Sequence, residues 1–254
     1  MRPPRNVAIA VVAPGLAGVA GFVDAIGFIT LRGLFVAHMS GNSVKFGVAA
    51  GHGTLSQAAP AGIAVVLFVA GVAIGTVASE LAARRRLRSV AAVVFAIQAL
   101  LIAAFMVYGS TLLHGRQVRG HSIGGFYVLA ALAVVSMGMQ TSALRQLGGR
   151  TISTTYVTGV LTSLTQEATN YAFWLHDRGG RDKNRSFLSS VLGLGGRRDA
   201  RNRVLLLGAV WLLYVAGGVA GSFLDGKIAL WALLVPLVVL AVAIAGDLVR
   251  PLEL

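Results

Sequence analysis

The sequence predicts an all-α, polytopic membrane protein: six transmembrane helices in two inverted three-helix repeats, plus two polar, broken or re-entrant segments. The first observation that predicts a membrane protein is the amino-acid composition. Of 254 residues, 56% are hydrophobic and 12% are charged, whereas soluble domains carry about 25% charged residues. The second observation is a series of long apolar runs, and the third is that polar segments interrupt these runs at similar points of the two halves.

Six apolar runs are long enough to cross a bilayer, which requires about 20 residues. The first run keeps a single charge, Asp24, and begins after a basic N-terminus without a convincing signal-peptidase site, so we expect it to remain as a helix. The predicted spans are 8–31, 60–79, 89–110, 122–144, 204–224 and 228–246.

Two further segments, 33–50 and 151–174, are too polar to be ordinary spans. Polar breaks at membrane depth persist only where they are buried in protein or line a cavity. The number of crossings decides on which side of the membrane the basic loops lie. Cytoplasmic loops are enriched in Lys and Arg, and re-entrant segments that do not cross leave these loops in the cytoplasm. A full crossing by 33–50 would put the four arginines of 84–88 outside. We therefore expect a multi-pass protein of the bacterial plasma membrane with both termini cytoplasmic.

Similar short motifs recur in residues 1–120 and 121–254, which are the two predicted repeats. The basic loop 176–203, with eight Lys and Arg residues, is an insertion in the second repeat. Because each repeat has three spans, the two would lie in opposite orientations, which is the plan of many inverted-repeat transporters. The matched elements are Val69-Ala70-Gly71 with Val215-Ala216-Gly217, Ser40-Gly41 with Thr158-Gly159, and Asp24 with Gln140.

The motif around Asp24 resembles a known family. Gly21-Phe22-Val23-Asp24-Ala25, followed by Gly33-Leu34-Phe35-Val36-Ala37-His38-Met39-Ser40-Gly41-Asn42, is similar to the signature of the YoaK-like family of bacterial membrane proteins. The likeness extends over most of the chain and implies the same architecture. It implies no substrate, because the family is a domain of unknown function. This chain departs from the family pattern at His38, where Asn is usual, and at Lys45, where an apolar residue is common.

Asp24 is the strongest candidate for a functional residue, because a charge at the bilayer centre costs about 2.5–3.5 kcal/mol even on lenient scales. It must pair, take up a proton or face water. One interpretation is a proton or cation site. The other is a structural partner for Lys45 or for backbone donors.

The segment after Asp24 supplies further candidates. Ser40, Gly41 and Asn42 would either end a half-helix whose N–H groups favour an anion or build the turn of a re-entrant loop. Lys45 would bind an anion, neutralise Asp24 or extend to the membrane surface. For His38, an interfacial or packing role is favoured over metal ligation.

The second half offers a comparable polar set. Thr158, Thr162 and Gln166 share one helical face. They would line a polar path or form interhelical hydrogen bonds. The candidates from this half are Gln140, Thr158, Gly159, Thr162 and Gln166.

Other classes of function find no support in the sequence. There is no cysteine, and no metalloprotease or nucleophile-elbow motif, so we expect neither an enzyme nor a bound metal or cofactor. The net charge of +13 sets orientation in the membrane rather than nucleic-acid binding.

The leading hypothesis is a secondary transporter or permease for a small polar or ionic solute, with proton coupling through Asp24. The alternative is a membrane scaffold or sensor that binds anionic lipid or a cytoplasmic partner through the basic loop 176–203. The expected partners are membrane lipids and a small solute, and a homo-oligomer is left open.

Overall fold

A computed structural model describes residues 5–112, 123–148, 157–177 and 197–251, and all regular structure in this part of the chain is helical. A short 3₁₀ turn, Ala229–Leu233, separates the last two helices. The helices are α1 (Arg5–Thr30), α2 (Met39–Gly51), α3 (Leu55–Arg84), α4 (Val90–Leu112), α5 (Ile123–Gly148), α6 (Val157–Asp177), α7 (Arg197–Ile228) and α8 (Leu234–Val249).

Five helical stretches of the described residues are long and apolar enough to cross a membrane. The prediction of an all-α polytopic membrane protein is therefore confirmed. The last stretch, Arg201–Val249, contains both α7 and α8 and so covers two of the predicted spans. The other stretches are Val12–Thr30, Leu55–Arg84, Val90–Leu112 and Gly124–Leu144.

The centre of the bundle is formed by α1 and α5. In the most apolar stretch of each helix, 67% of the residues of α1 and 72% of those of α5 are buried, against 22% for α3. Helix α1 packs along α7 in the same direction, because Gly18 lies beside Gly217 and Phe22 beside Gly221. These glycines let the two backbones approach closely, as small residues commonly do between membrane helices.

Helices α3 and α5 make a similar parallel pair, in which Gly71 lies beside Val135 and Gly75 beside Met139. Here too the glycines put one helix against the backbone of its neighbour. The two parallel pairs, α1 with α7 and α3 with α5, together form most of the packed interior.

Helix α4 runs opposite to α8. Gly109 lies beside Leu230 at one end of this pair, and the N–H of Ala92 donates to Asp247 Oδ2 at 2.8 Å at the other. Asp247 is 1% exposed, so α8 supplies a buried acceptor for the first turn of α4. The chain therefore reverses direction at the 3₁₀ turn between α7 and α8, where Ala229 has a φ of 49°.

The predicted polar segments take two forms. In the first, α1 ends at Thr30, residues 31–38 are irregular, and α2 follows with 13 residues. A helix of this length is about 20 Å long and too short to cross the hydrocarbon core. In the second, the described part is one unbroken helix, α6, rather than a broken one; residues 151–156 lie outside the described residues.

Gly21 tests the close packing of α1 on α7. A Cβ at Gly21 would overlap the carbonyl oxygen of Tyr214, whereas one at Gly15, on the same helix, meets nothing within 4 Å. We expect Gly21→Ala to destabilise the protein by about 1–3 kcal/mol, because the helices must separate. Thermal unfolding in detergent measures the loss. Gly15→Ala is the control and should leave the melting temperature unchanged or slightly raised; equal melting temperatures for the two variants would contradict the packing described.

Candidate functional site

Asp24 holds the irregular segment 31–38 against α1. We call this segment the re-entrant loop because its chain turns back towards Asp24. Asp24 is 5% exposed. Its Oδ1 accepts hydrogen bonds from the N–H groups of Val36 at 2.8 Å and Ala37 at 2.9 Å. The loop turns back towards Asp24 after Arg32 and Gly33, whose φ angles are 55° and 85°. Glycine adopts such angles without strain, which explains the choice of residue at Gly33.

The other oxygen of Asp24 meets two further side chains. The hydroxyl of Tyr214, on α7, donates to Oδ2 at 2.8 Å, and Nδ1 of His38 lies 2.9 Å from the same oxygen. The Tyr214 hydroxyl is also 2.9 Å from His38 Nδ1. A carboxylate, an imidazole and a phenol are thus in mutual hydrogen-bond contact, and we call them the Asp24 cluster. The His38 side chain is 28% exposed and Tyr214 is half-buried, whereas Asp24 is buried.

Asn42 ties the other side of the re-entrant loop to the first turn of α2. Its Oδ1 accepts from the N–H of Phe35 at 3.1 Å, and its Nδ2 donates to the Phe35 carbonyl at 2.7 Å. The side chain is fully buried. Because one amide satisfies both backbone groups of Phe35, Asn42 replaces the pairing that a regular element would provide.

Lys45 does not neutralise Asp24. Its ammonium group donates to the carbonyl of Gly33 and lies 4.7 Å from the ring centroid of Phe35 and 5.1 Å from that of Phe28. Cations are attracted to aromatic faces at such distances. Lys45 therefore braces the outer side of the re-entrant loop.

The remaining candidates lie apart from the Asp24 cluster. Ser40 is exposed and Gly41 packs under the ring of Phe35. Gln140 is fully buried on α5 and donates to the carbonyl of Leu16 at 2.7 Å, two turns of α1 before Asp24. On α6, Thr158, Thr162 and Gln166 are exposed and Gly159 is half-buried. Of the predicted residues, the structure thus gathers Asp24, His38, Asn42 and Lys45 around one loop.

Two contributors were not predicted from the sequence. Tyr214 directly precedes Val215-Ala216-Gly217, and the matching residue before Val69-Ala70-Gly71 is Phe68. The hydroxyl that distinguishes Tyr214 from Phe68 could therefore have marked it as a candidate in a comparison of the two halves. Gln98 is a lone amide in the span 89–110. Its Nε2 donates to Gln140 Oε1 at 2.6 Å, while its own Oε1 is buried without a partner.

Metal binding finds no support in the described part of the chain, where no group of three His, Cys, Asp or Glu side chains converges. The arrangement instead suits the holding and transfer of a proton, since each member of the Asp24 cluster contacts the other two.

The predicted basic loop 176–203 lies mostly outside the described residues. Within this range the structure describes only the end of α6 and the start of α7.

The fold and this cluster define a polytopic helical membrane protein with a polar site in its interior. The chain belongs to the family described as "Protein of unknown function (DUF1275)", whose sequence profile matches residues 12–246. It is 31% identical over 155 residues to the UPF0700 transmembrane protein YoaK of Bacillus subtilis (strain 168), a match that covers 61% of this chain and 65% of that protein. The resemblance to a YoaK-like family is confirmed. No solved structure matches the chain.

Asn42 provides a test of how the re-entrant loop is held. We expect Asn42→Ala to lower the free energy of unfolding by about 1–3 kcal/mol, because it leaves the partly buried N–H and C=O of Phe35 without their partner. Detergent-induced unfolding followed by circular dichroism measures this change. Ser43→Ala, at the next position of α2, is the control, since Ser43 is exposed and bonds only to Met39 of its own helix. Similar losses in both variants would contradict the role of Asn42.

Proposed function

We propose that the protein is a secondary transporter or permease for a small polar or ionic solute, coupled to protons through Asp24. The observation that carries the proposal is the Asp24 cluster at a break in the helical backbone. Carboxylates and histidines inside membrane segments commonly belong to ion or proton pathways. Transport, and not catalysis, is the activity proposed, with membrane lipids and the solute as partners.

The hydrogen bonds of Asp24 support a link between its protonation and the position of the re-entrant loop. A proton on Asp24 would remove the charge that two backbone N–H groups and Tyr214 stabilise. Charge-assisted hydrogen bonds are about twice as strong as neutral ones. Protonation therefore weakens the hold of α1 and α7 on the loop. His38, partly exposed and 2.9 Å from Asp24 Oδ2, is the route by which the proton arrives or leaves.

Matched glycine contacts support the proposed inverted repeat of residues 1–120 and 121–254. Gly217 against Gly18 corresponds to Gly71 against Val135, and Gly21 against Tyr214 corresponds to Gly138 against Phe68. The same register pairs Asp24 with Thr141, one residue beyond the Gln140 that sequence spacing suggested. On this plan the first repeat alone carries the carboxylate.

The proposed topology has six spans, α1, α3, α4, α5, α7 and α8, with both termini in the cytoplasm of a bacterium. The four arginines of 84–88 lie at the last residue of α3 and in the short connection to α4. The positive-inside tendency assigns that end of the bundle to the cytoplasm. The opposite end, which contains Thr30, Leu55 and Leu112 and which we call the Thr30 end, then faces outward.

Proteoliposomes test the proposal directly. A panel of inorganic ions, amino acids and organic acids is offered to vesicles that contain a proton-sensitive dye. We expect wild-type protein to couple proton movement to at least one class. Asp24→Asn keeps an acceptor for the loop but loses the charge, so proton-coupled flux should fall by about tenfold or more.

Glu80→Gln is the matched control for this prediction, because Glu80 is an exposed carboxylate paired with Arg84 near the end of α3. Its flux should equal that of wild type. Flux that is unchanged in Asp24→Asn would refute proton coupling. A folded protein that moves nothing on the panel would refute transport and favour the scaffold alternative.

A further inference from the structure

A cavity of about 560 Å³ lies at the Thr30 end, between the re-entrant loop and the starts of α3 and α5. We infer that it binds a monovalent organic anion with an apolar body, and that this anion is the solute. The inference rests on the proposed function, since it names the substrate class of the permease. Ligand pockets in proteins commonly measure about 300–1,000 Å³ and are mostly apolar with a few polar groups.

The charges around the cavity are all of one sign. Arg32 and Lys45 line it, and no acidic side chain does so among the residues that the structure describes. Lys45 is held in place by the Gly33 carbonyl and by the rings of Phe28 and Phe35. A fixed ammonium at a partly apolar wall attracts an anion more strongly than one in open water.

Most of the remaining wall is apolar. Apolar lining residues come from the loop, from α3 and from α5: Leu31, Leu34, Pro60, Phe126 and Leu129. The few polar and basic groups here would replace only part of the hydration of a small inorganic anion. A carboxylate or phosphate attached to a hydrocarbon or aromatic body instead places its charge near Lys45 and its apolar part on these side chains.

The cavity and the Asp24 cluster share the re-entrant loop. Residues 31–34 form part of the cavity wall, while Val36, Ala37 and His38 bond to Asp24. An anion at Lys45 and a proton on Asp24 therefore act on two ends of one short segment. Movement of one proton with one monovalent anion transfers no net charge, so the membrane potential would not oppose it.

Calorimetric titration of the purified full chain tests the site. The probes are decanoate, decanol and decyltrimethylammonium, which share an apolar chain and differ in charge. We expect decanoate to bind and the cationic probe not to bind. Lys45→Gln should weaken decanoate binding by about tenfold, while Lys45→Arg should retain most of it because the charge is kept.

Lys227→Gln is the matched control, because Lys227 is another exposed lysine that lies over an aromatic ring, 4.4 Å from the centroid of Phe223, yet does not line the cavity. It should bind decanoate as wild type does. Ala59→Phe, which fills the cavity without a change of charge, should also abolish binding. Equal binding of the cationic and anionic probes, or undiminished binding in both Lys45→Gln and Ala59→Phe, would overturn the inference.

Two further arms separate this inference from related explanations. In nanodiscs, loss of decanoate binding in phosphatidylglycerol but not in zwitterionic lipid would identify an anionic lipid headgroup as the occupant and overturn the assignment to a solute. Decanoate binding without flux in proteoliposomes would refute the proposed transport and leave the anion site intact. Flux of other solutes without decanoate binding would refute the anion site alone.

Discussion

The structure depends on satisfying the backbone of one irregular segment inside an apolar bundle. The first residues of 31–38 still bond to α1, but the N–H groups of residues 35–37 and the carbonyl of Phe35 bond to side chains instead. Left unsatisfied, each such group would cost several kcal/mol in hydrocarbon. Asp24 accepts two of the N–H groups and Asn42 pairs with both groups of Phe35. These two side chains come from helices on either side of the loop, so the loop, α1 and α2 form one local unit.

The same bonds that hold the loop give it chemistry. Asp24 is accommodated in the interior because backbone donors and Tyr214 satisfy its carboxylate oxygens. In the transport that we propose, a proton on Asp24 weakens the same bonds. The structure shows the structural interpretation of Asp24, as a partner for backbone donors; on our proposal the functional interpretation uses the same arrangement. Lys45 extends it to the surface of the cavity at the Thr30 end.

The local part of the site was predictable and the long-range part was not. Asp24, His38 and Asn42 lie within one short stretch, and the cost of polar groups in a membrane marks each of them without knowledge of the fold. Tyr214 comes from α7, and only the packing of Gly21 against that helix brings the phenol to Asp24. The polar face of α6 was readable from its spacing, but its separation from the Asp24 cluster follows from helix packing. Likewise, the apolar runs predicted the helices, whereas the parallel pairing of α1 with α7 required the structure.

That pairing has a consequence for biosynthesis. Asp24 and Tyr214 are 190 residues apart, so the carboxylate leaves the ribosome long before its phenol partner exists. Val36, Ala37 and His38 follow Asp24 within 14 residues. The re-entrant loop therefore supplies the first hydrogen-bond partners for the Asp24 carboxylate while the rest of the chain is still being made. These local bonds can satisfy the polar side chain of α1 in the membrane until α7 is made and Tyr214 adds its hydrogen bond.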